Sequence, residues 1–181
     1  MKLWLAILIV LVITSCDSKS DEMKKIVFLH HSTGEAIWNG GVPQWFAEYN
    51  KQTSANYKIT QPNLPAWNSA YGWKNNPFDY YNIWVKNAGS QPYLGAPTLE
   101  MLTPQYDVII FKHCYPVSIV KADSGAADID SNVRTLGNYK LQYEALKKKL
   151  NQFPQTKFIL WTPTALVVRN TNAADAQRAD E

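Results

Sequence analysis

Cysteine is scarce in this sequence: its 181 residues include two, Cys16 and Cys114. So few thiols exclude a disulfide framework and leave the fold to be held by its core. Neither sign of charge is in large excess, with 18 Lys and Arg against 15 Asp and Glu for a formal net of +3. The basic residues are scattered, which excludes a nucleic-acid stripe or a face built for acidic partners. Histidine is confined to positions 30, 31 and 113. No apolar run reaches the ~18 to 20 residues that cross a bilayer comfortably; LWLAILIVLVI, at 3–13, falls short. What is present is apolar and aromatic: 46% hydrophobic residues, with seven Trp, ten Tyr and six Phe. That composition suits one compact domain rather than a disordered or repetitive chain.

Met1-Lys2, the apolar run, Thr14-Ser15-Cys16 and the polar DSKSDE follow one another as in a secretory signal peptide. Ile13-Thr14-Ser15-Cys16 resembles a bacterial lipobox. The resemblance implies cleavage before Cys16, a lipid on that cysteine, and an extracytoplasmic protein anchored in a bacterial envelope. Removal of 1–15 leaves 17 basic against 15 acidic residues, so acyl chains rather than charge would hold the membrane. The expected layout is a signal peptide at 1–15, a tether at 16–24 and one α/β domain at 25–181. With Cys16 lipidated, Cys114 has no partner for a disulfide.

Within the domain, KKIVFLHH (24–31), YKIT (57–60), YDVIIFKHCYP (106–116) and KFILWTP (157–163) read as buried strands, short, apolar and β-branched. GVPQWFAEYNKQ (41–52) and LGNYKLQYEALKKKLNQFP (136–154) carry helical periodicity. In the second, Leu136, Tyr139, Tyr143, Leu146 and Leu150 share a face, and Pro154 lies just past its end. The segment 61–104 is crowded with Pro, Gly, Asn, Trp and Tyr and reads as a long loop holding short helical pieces, DYYNIWVKN among them. Continuous apolar strands alternating with amphipathic helices predict an α/β fold, a three-layer α/β/α sandwich around a mainly parallel sheet. In such sheets ligands bind beyond the carboxyl ends of the strands. Those ends are His30-His31-Ser32, His113-Cys114-Tyr115 and Thr162-Pro163, so the polar chemistry gathers on one edge.

Ser32 has two readings. Ser32-Thr33-Gly34-Glu35 is a capping box, which alone would account for the serine. A hydroxyl at a strand-to-helix turn is also where a nucleophile can meet oxyanion-stabilising amides. IVFLHHSTG is similar in position to block I of the SGNH (GDSL-type) hydrolases, a hydrophobic strand followed by a serine that opens the first helix. His30-His31 stands where that family has Gly-Asp, and Ser32 keeps the nucleophile position. The resemblance implies a flavodoxin-like SGNH fold and acyl transfer from an ester. It places the oxyanion hole at Ser32, Gly89 of Asn87-Ala88-Gly89 as block II, and Cys114, which replaces the block III asparagine. The family's base is the His of a C-terminal Asp-x-x-His, and no histidine follows Pro163. The closing helix AADAQRADE ends without a glycine or a basic turn, so a C-terminal truncation that removes this block is expected, leaving the chain as given inactive.

The aromatics Trp67, Tyr71, Trp73, Phe78, Tyr80, Tyr81 and Trp84 read either as a stacking platform for a sugar ring or as packing for the long loop. With the envelope location, the platform tilts the substrate toward an acylated carbohydrate. Trp73, Tyr81, His31 and His113 are the expected substrate contacts. Adjacent strand residues point to opposite faces, so at most one of His30 and His31 can converge with His113, and no metal or cofactor is assigned. By the same alternation a His113–Cys114 nucleophile pair is disfavoured. The competing expectation, from a different class, is a glycan-binding lipoprotein that keeps the fold without the chemistry.

Overall fold

The computed structural model describes residues 22–62, 70–163, 165–166 and 172–180. The signal peptide, Cys16 and Trp67 therefore lie outside the described residues. Among these residues no helix is long and apolar enough to cross a membrane.

Four parallel strands form one sheet in the order β2-β1-β3-β4, with β1 at Lys24–Leu29, β2 at Tyr57–Thr60, β3 at Val108–Lys112 and β4 at Lys157–Trp161. The α/β class and the parallel sheet are as the apolar runs predict. β1 and β3 hold the centre, where both faces are covered, and Val27, Leu29, Ile109 and Phe111 are completely buried. Helices α1 (Thr33–Asn39) and α2 (Val42–Thr53) link β1 to β2. The chain then passes back over β1 through α3 (Pro77–Tyr81), a π-helical turn (Asn82–Lys86) and α4 (Leu99–Leu102) to reach β3. Helix α5 (Leu136–Leu150) joins β3 to β4, and α6 (Ala173–Asp180) follows. Winding thus reverses between β1 and β3, and right-handed crossovers send α1 and α2 to one face and α3 to α5 to the other. Ring contacts agree: Phe28 and His30 stack toward Trp161 and Trp38 on one face, while Phe111 meets Tyr80 and Trp84 on the other. The predicted stripe of α5 is also observed, with Tyr139 and Leu146 buried and Tyr143 and Leu150 packed on the core.

Of the two readings of the loop aromatics, packing is the one observed for Trp73, Tyr80 and Trp84, each 0% exposed. Trp84 is held further by its Nε1, which donates to the Pro97 carbonyl at 3.1 Å. Their rings fill the layer between the sheet and α5, Tyr80 from α3 and Trp84 from the π-helical turn. β4 reads as a buried strand but is the sheet edge, with Ile159, Leu160 and Trp161 each more than a third exposed. Its apolar residues suit a strand covered on both faces, and among the described residues nothing pairs with its outer edge.

The capping box also sits elsewhere. Ser32 precedes α1 but makes no side-chain cap bond. A complete box forms at Asn76 and Asp79, where each side chain accepts from the other's backbone N–H, at 2.8 and 3.0 Å. Pro77 explains the choice: it occupies the first helical position and biases Asn76 to the extended backbone that a cap requires, φ −109° and ψ 169°.

Candidate functional site

The crevice of a doubly wound sheet opens where the winding reverses, at the carboxyl ends of the two strands flanking that point. Here these are the ends of β1 and β3, which bring His30, His31 and Ser32 beside Lys112, His113 and Cys114. Leu29 pairs with Phe111 in the last register position, so the residues that follow the two strands leave the sheet at the same end.

Ser32 stands out by its backbone, φ 51° and ψ −112°, outside the regions an L-residue populates comfortably. Such a residue costs about 1 to 3 kcal/mol and persists only where its surroundings enforce it. Gly34 is part of that enforcement. A Cβ there would meet the His30 Cβ at 2.3 Å, so glycine is what lets the first turn of α1 close over the end of β1. His30 is fixed from the other side by Gln61, 2.8 Å from its Nε2. A strained serine at a strand-to-helix turn, with glycine two residues on, has the shape of a nucleophile elbow. Its side chain is exposed and is not committed to a cap.

Around Ser32 lie imidazoles, an amine and an aromatic ring. His31 is half-buried, its ring 6.3 Å from that of Trp73. Burial holds the imidazoles of His30 and His31 below their ordinary range. Lys112, 6% exposed, donates from Nζ to Thr33 Oγ1 at 3.0 Å and to the His113 carbonyl at 2.7 Å. Asn75 completes the edge. Its backbone is left-handed, φ 61°, and its carbonyl accepts from the Cys114 N–H at 3.3 Å. The neighbouring cap holds it in place, since buried Asp79 also accepts from the Lys74 N–H at 3.0 Å and the Tyr71 hydroxyl at 2.9 Å. Asn75 is 0% exposed, and its Nδ2 has no partner among the described residues.

Several expected site residues are not where the chemistry would need them. The Gly89 N–H donates to the Glu100 carboxylate at 3.2 Å, and Glu100 is paired with Lys149 at 2.5 Å. Lys149 lies in the last turn of α5, which delivers the chain to the start of β4. Gly89 is therefore at the opposite end of the sheet from Ser32, a strand length or roughly 17 Å away. Cys114 offers neither group: its amide is taken by Asn75 and its thiol is 1% exposed, with burial pushing the pKa up. Trp73 has no exposed ring face. Tyr81 is buried, and its hydroxyl donates to Asp130 at 3.2 Å, an acceptor it shares with Lys86. His113 is sealed, with the Tyr143 hydroxyl 2.6 Å from Nε2 and the Asn75 carbonyl 3.3 Å from Nδ1. Of the four expected substrate contacts, His31 alone is both partly open and adjacent to Ser32.

Comparison with family profiles, curated proteins and solved structures returns no match. The chemistry has to be read from the geometry itself.

The burial of His113 has a measurable consequence. Its pKa is lowered to about 4 by desolvation, below the ordinary value near 6.5 of an unfolded histidine. Between those values the unfolded chain binds a proton that the folded chain refuses, so stability falls as pH drops from about 6.5 toward 4, by about 3 kcal/mol for this group. Urea unfolding at pH 7 and pH 4.5 should show the loss, and His113→Gln should reduce it, leaving the smaller part due to His30 and His31. An equal slope in the variant would mean that His113 is not the group responsible.

Proposed function

We propose that this protein is a serine ester hydrolase of the SGNH type, anchored in a bacterial envelope through Cys16, with Ser32 as nucleophile. The observation that carries the reading is the Ser32 backbone: a strained, exposed serine at the topological switch point, spared from capping. Ser32 Oγ attacks the ester carbonyl, the tetrahedral intermediate expels the alcohol to leave an acyl-enzyme, and water then cleaves that acyl-enzyme. The Ser32 amide stands as an oxyanion donor, and Gly89 and Cys114 drop out of that role. A cavity of about 450 Å³ at the same edge, lined by Val117, Val120, Tyr139 and Pro163, offers an apolar seat for the acyl group. Buried Ser118 Oγ, without a partner among the described residues, is its polar anchor.

A buried Trp73 and Tyr81 remove the expected sugar platform, and with it the main support for carbohydrate as the alcohol. The non-catalytic glycan-binding reading draws on a different observation. On α2, Trp45 is 58% exposed and stacks on Tyr49 with centroids 5.1 Å apart and planes 17° from parallel. Exposed rings of this kind stack on sugars. Trp45→Ala should then abolish retardation of the protein in polysaccharide-containing gels; a wild-type protein that migrates freely in all of them removes this second reading. The hydrolase is tested by cleavage of an aryl acetate: turnover is expected from residues 1–181 without the C-terminal block that the sequence resemblance implies, and its absence at every pH from 6 to 10 would refute the proposal.

A further inference from the structure

The sequence resemblance places its proton acceptor on a C-terminal histidine, whereas the histidines within residues 1–181 are His30, His31 and His113. The three histidines in hand are poorly placed for that task. His30 is bonded to Gln61, His113 is closed in by Tyr143 and Asn75, and His31 faces Trp73. A different base is available on the neighbouring strand. We propose that the Lys112 amine is the general base that activates Ser32, so that the site is a Ser–Lys pair.

This deepens the hydrolase reading and rests on it. Lys112 closes β3 on the face that carries His30, and its Nζ reaches the hydroxyl of Thr33, one residue along from the nucleophile. None of the ion pairs among the described residues includes it. The titratable groups facing it are His30 and His31 from the end of β1, and His113 and Cys114 from its own strand; none is a carboxylate. A buried ammonium without a counter-ion is costly, and the usual outcome is loss of its proton. Desolvation accordingly holds Lys112 below the ordinary lysine range.

Hydrogen-bond accounting points the same way. An ammonium carries three N–H donors, a neutral amine two and a lone pair. Nζ has two acceptors, Thr33 Oγ1 and the His113 carbonyl. They match the two donors of the neutral amine, and the Thr33 contact holds Nζ one residue along the chain from Ser32, so a side-chain rotation from Thr33 to Ser32 is part of the proposal. In acylation the lone pair takes the Ser32 proton while Oγ bonds to the carbonyl carbon, and the resulting ammonium returns that proton to the departing alkoxide. In deacylation the amine takes a proton from water as its oxygen attacks the acyl carbon, then restores it to Ser32 Oγ. Serine nucleophiles paired with lysine are an established variant of the triad chemistry.

The test combines kinetics with titration on the full chain. Lys112→Met should lower kcat/KM for an aryl acetate by about 10²- to 10⁴-fold while circular dichroism and Tm show a folded protein. Lys112→Arg, which keeps the charge but cannot supply a lone pair, should be equally impaired. Wild-type activity should fall as pH drops through the Lys112 pKa, since the charged amine is no base. Full activity in a folded Lys112→Met, or substantial activity in Lys112→Arg, overturns the base assignment and leaves the hydrolase intact. A wild type without turnover overturns both. Should the variants fail to fold, the side-chain NMR titration of Lys112 in the wild type decides: a midpoint well below the surface lysines supports the proposal, and one among them refutes it.

Discussion

Ser32→Ala is expected to lower kcat/KM for an aryl acetate by about 10⁴-fold or more, the scale on which a lost nucleophile acts. Ser32→Gly should be as inactive yet more stable, by about 1 kcal/mol in urea unfolding, because glycine adopts a positive φ without the steric cost. The two outcomes together separate a functional serine from a structural one. A serine kept for the fold would lose stability on either replacement, since both remove its hydroxyl. Here φ 51° and ψ −112° with no cap bond say that the hydroxyl contributes little to the helix it precedes. A stability loss in Ser32→Gly would contradict the strained-nucleophile account even if activity also fell.

Trp84→Ala is expected to destabilise the domain by about 3 to 5 kcal/mol, the range for truncating a buried tryptophan. Its ring lies 5.2 Å from that of Phe111 and 4.7 Å from that of Tyr80, and its loss would also leave the Pro97 carbonyl without its donor. Against the ~5 to 15 kcal/mol of a typical domain, that is a third or more of the total stability in all but the most stable cases. The contrast is Trp45→Ala, where 58% exposure predicts a change within about 0.5 kcal/mol. Urea midpoints for the pair measure the difference, and equal midpoints would mean that Trp84 does not hold the long segment on the sheet.

How far the sequence could be read follows from the length scale of each signal. β1 and β3 were legible because burial on both faces turns a parallel strand into an unbroken apolar run. β4 shares that character, so its place at the edge is invisible to composition. Ser32 was legible as a candidate because the change from apolar strand to Ser-x-Gly is local. Its two readings, cap and nucleophile, stay open in sequence because STGE and NPFD both fit the capping spacing; the backbone, set by Pro77 in one case and by the tight closure over His30 in the other, decides which of them caps. Gly89 and Asn75 are the informative pair. A glycine in a loop carries no direction, and only the Glu100–Lys149 pair shows which end of the sheet it occupies. Asn75 had one local clue, an asparagine in a turn before Asn-Pro, a residue type that tolerates φ above zero. Its contact with Cys114 spans distant parts of the chain and has no pattern in sequence. Lys112 was hidden inside the strongest strand signal in the chain, where a lysine reads as a strand-end charge.

An aryl fluorophosphonate, which forms a covalent bond only with an activated serine, followed by peptide mass analysis, examines the centre of this account. One phosphonyl adduct on the peptide containing Ser32, lost in Ser32→Ala, is the predicted result. No adduct at any pH between 6 and 10, or an adduct confined to another residue, would contradict it.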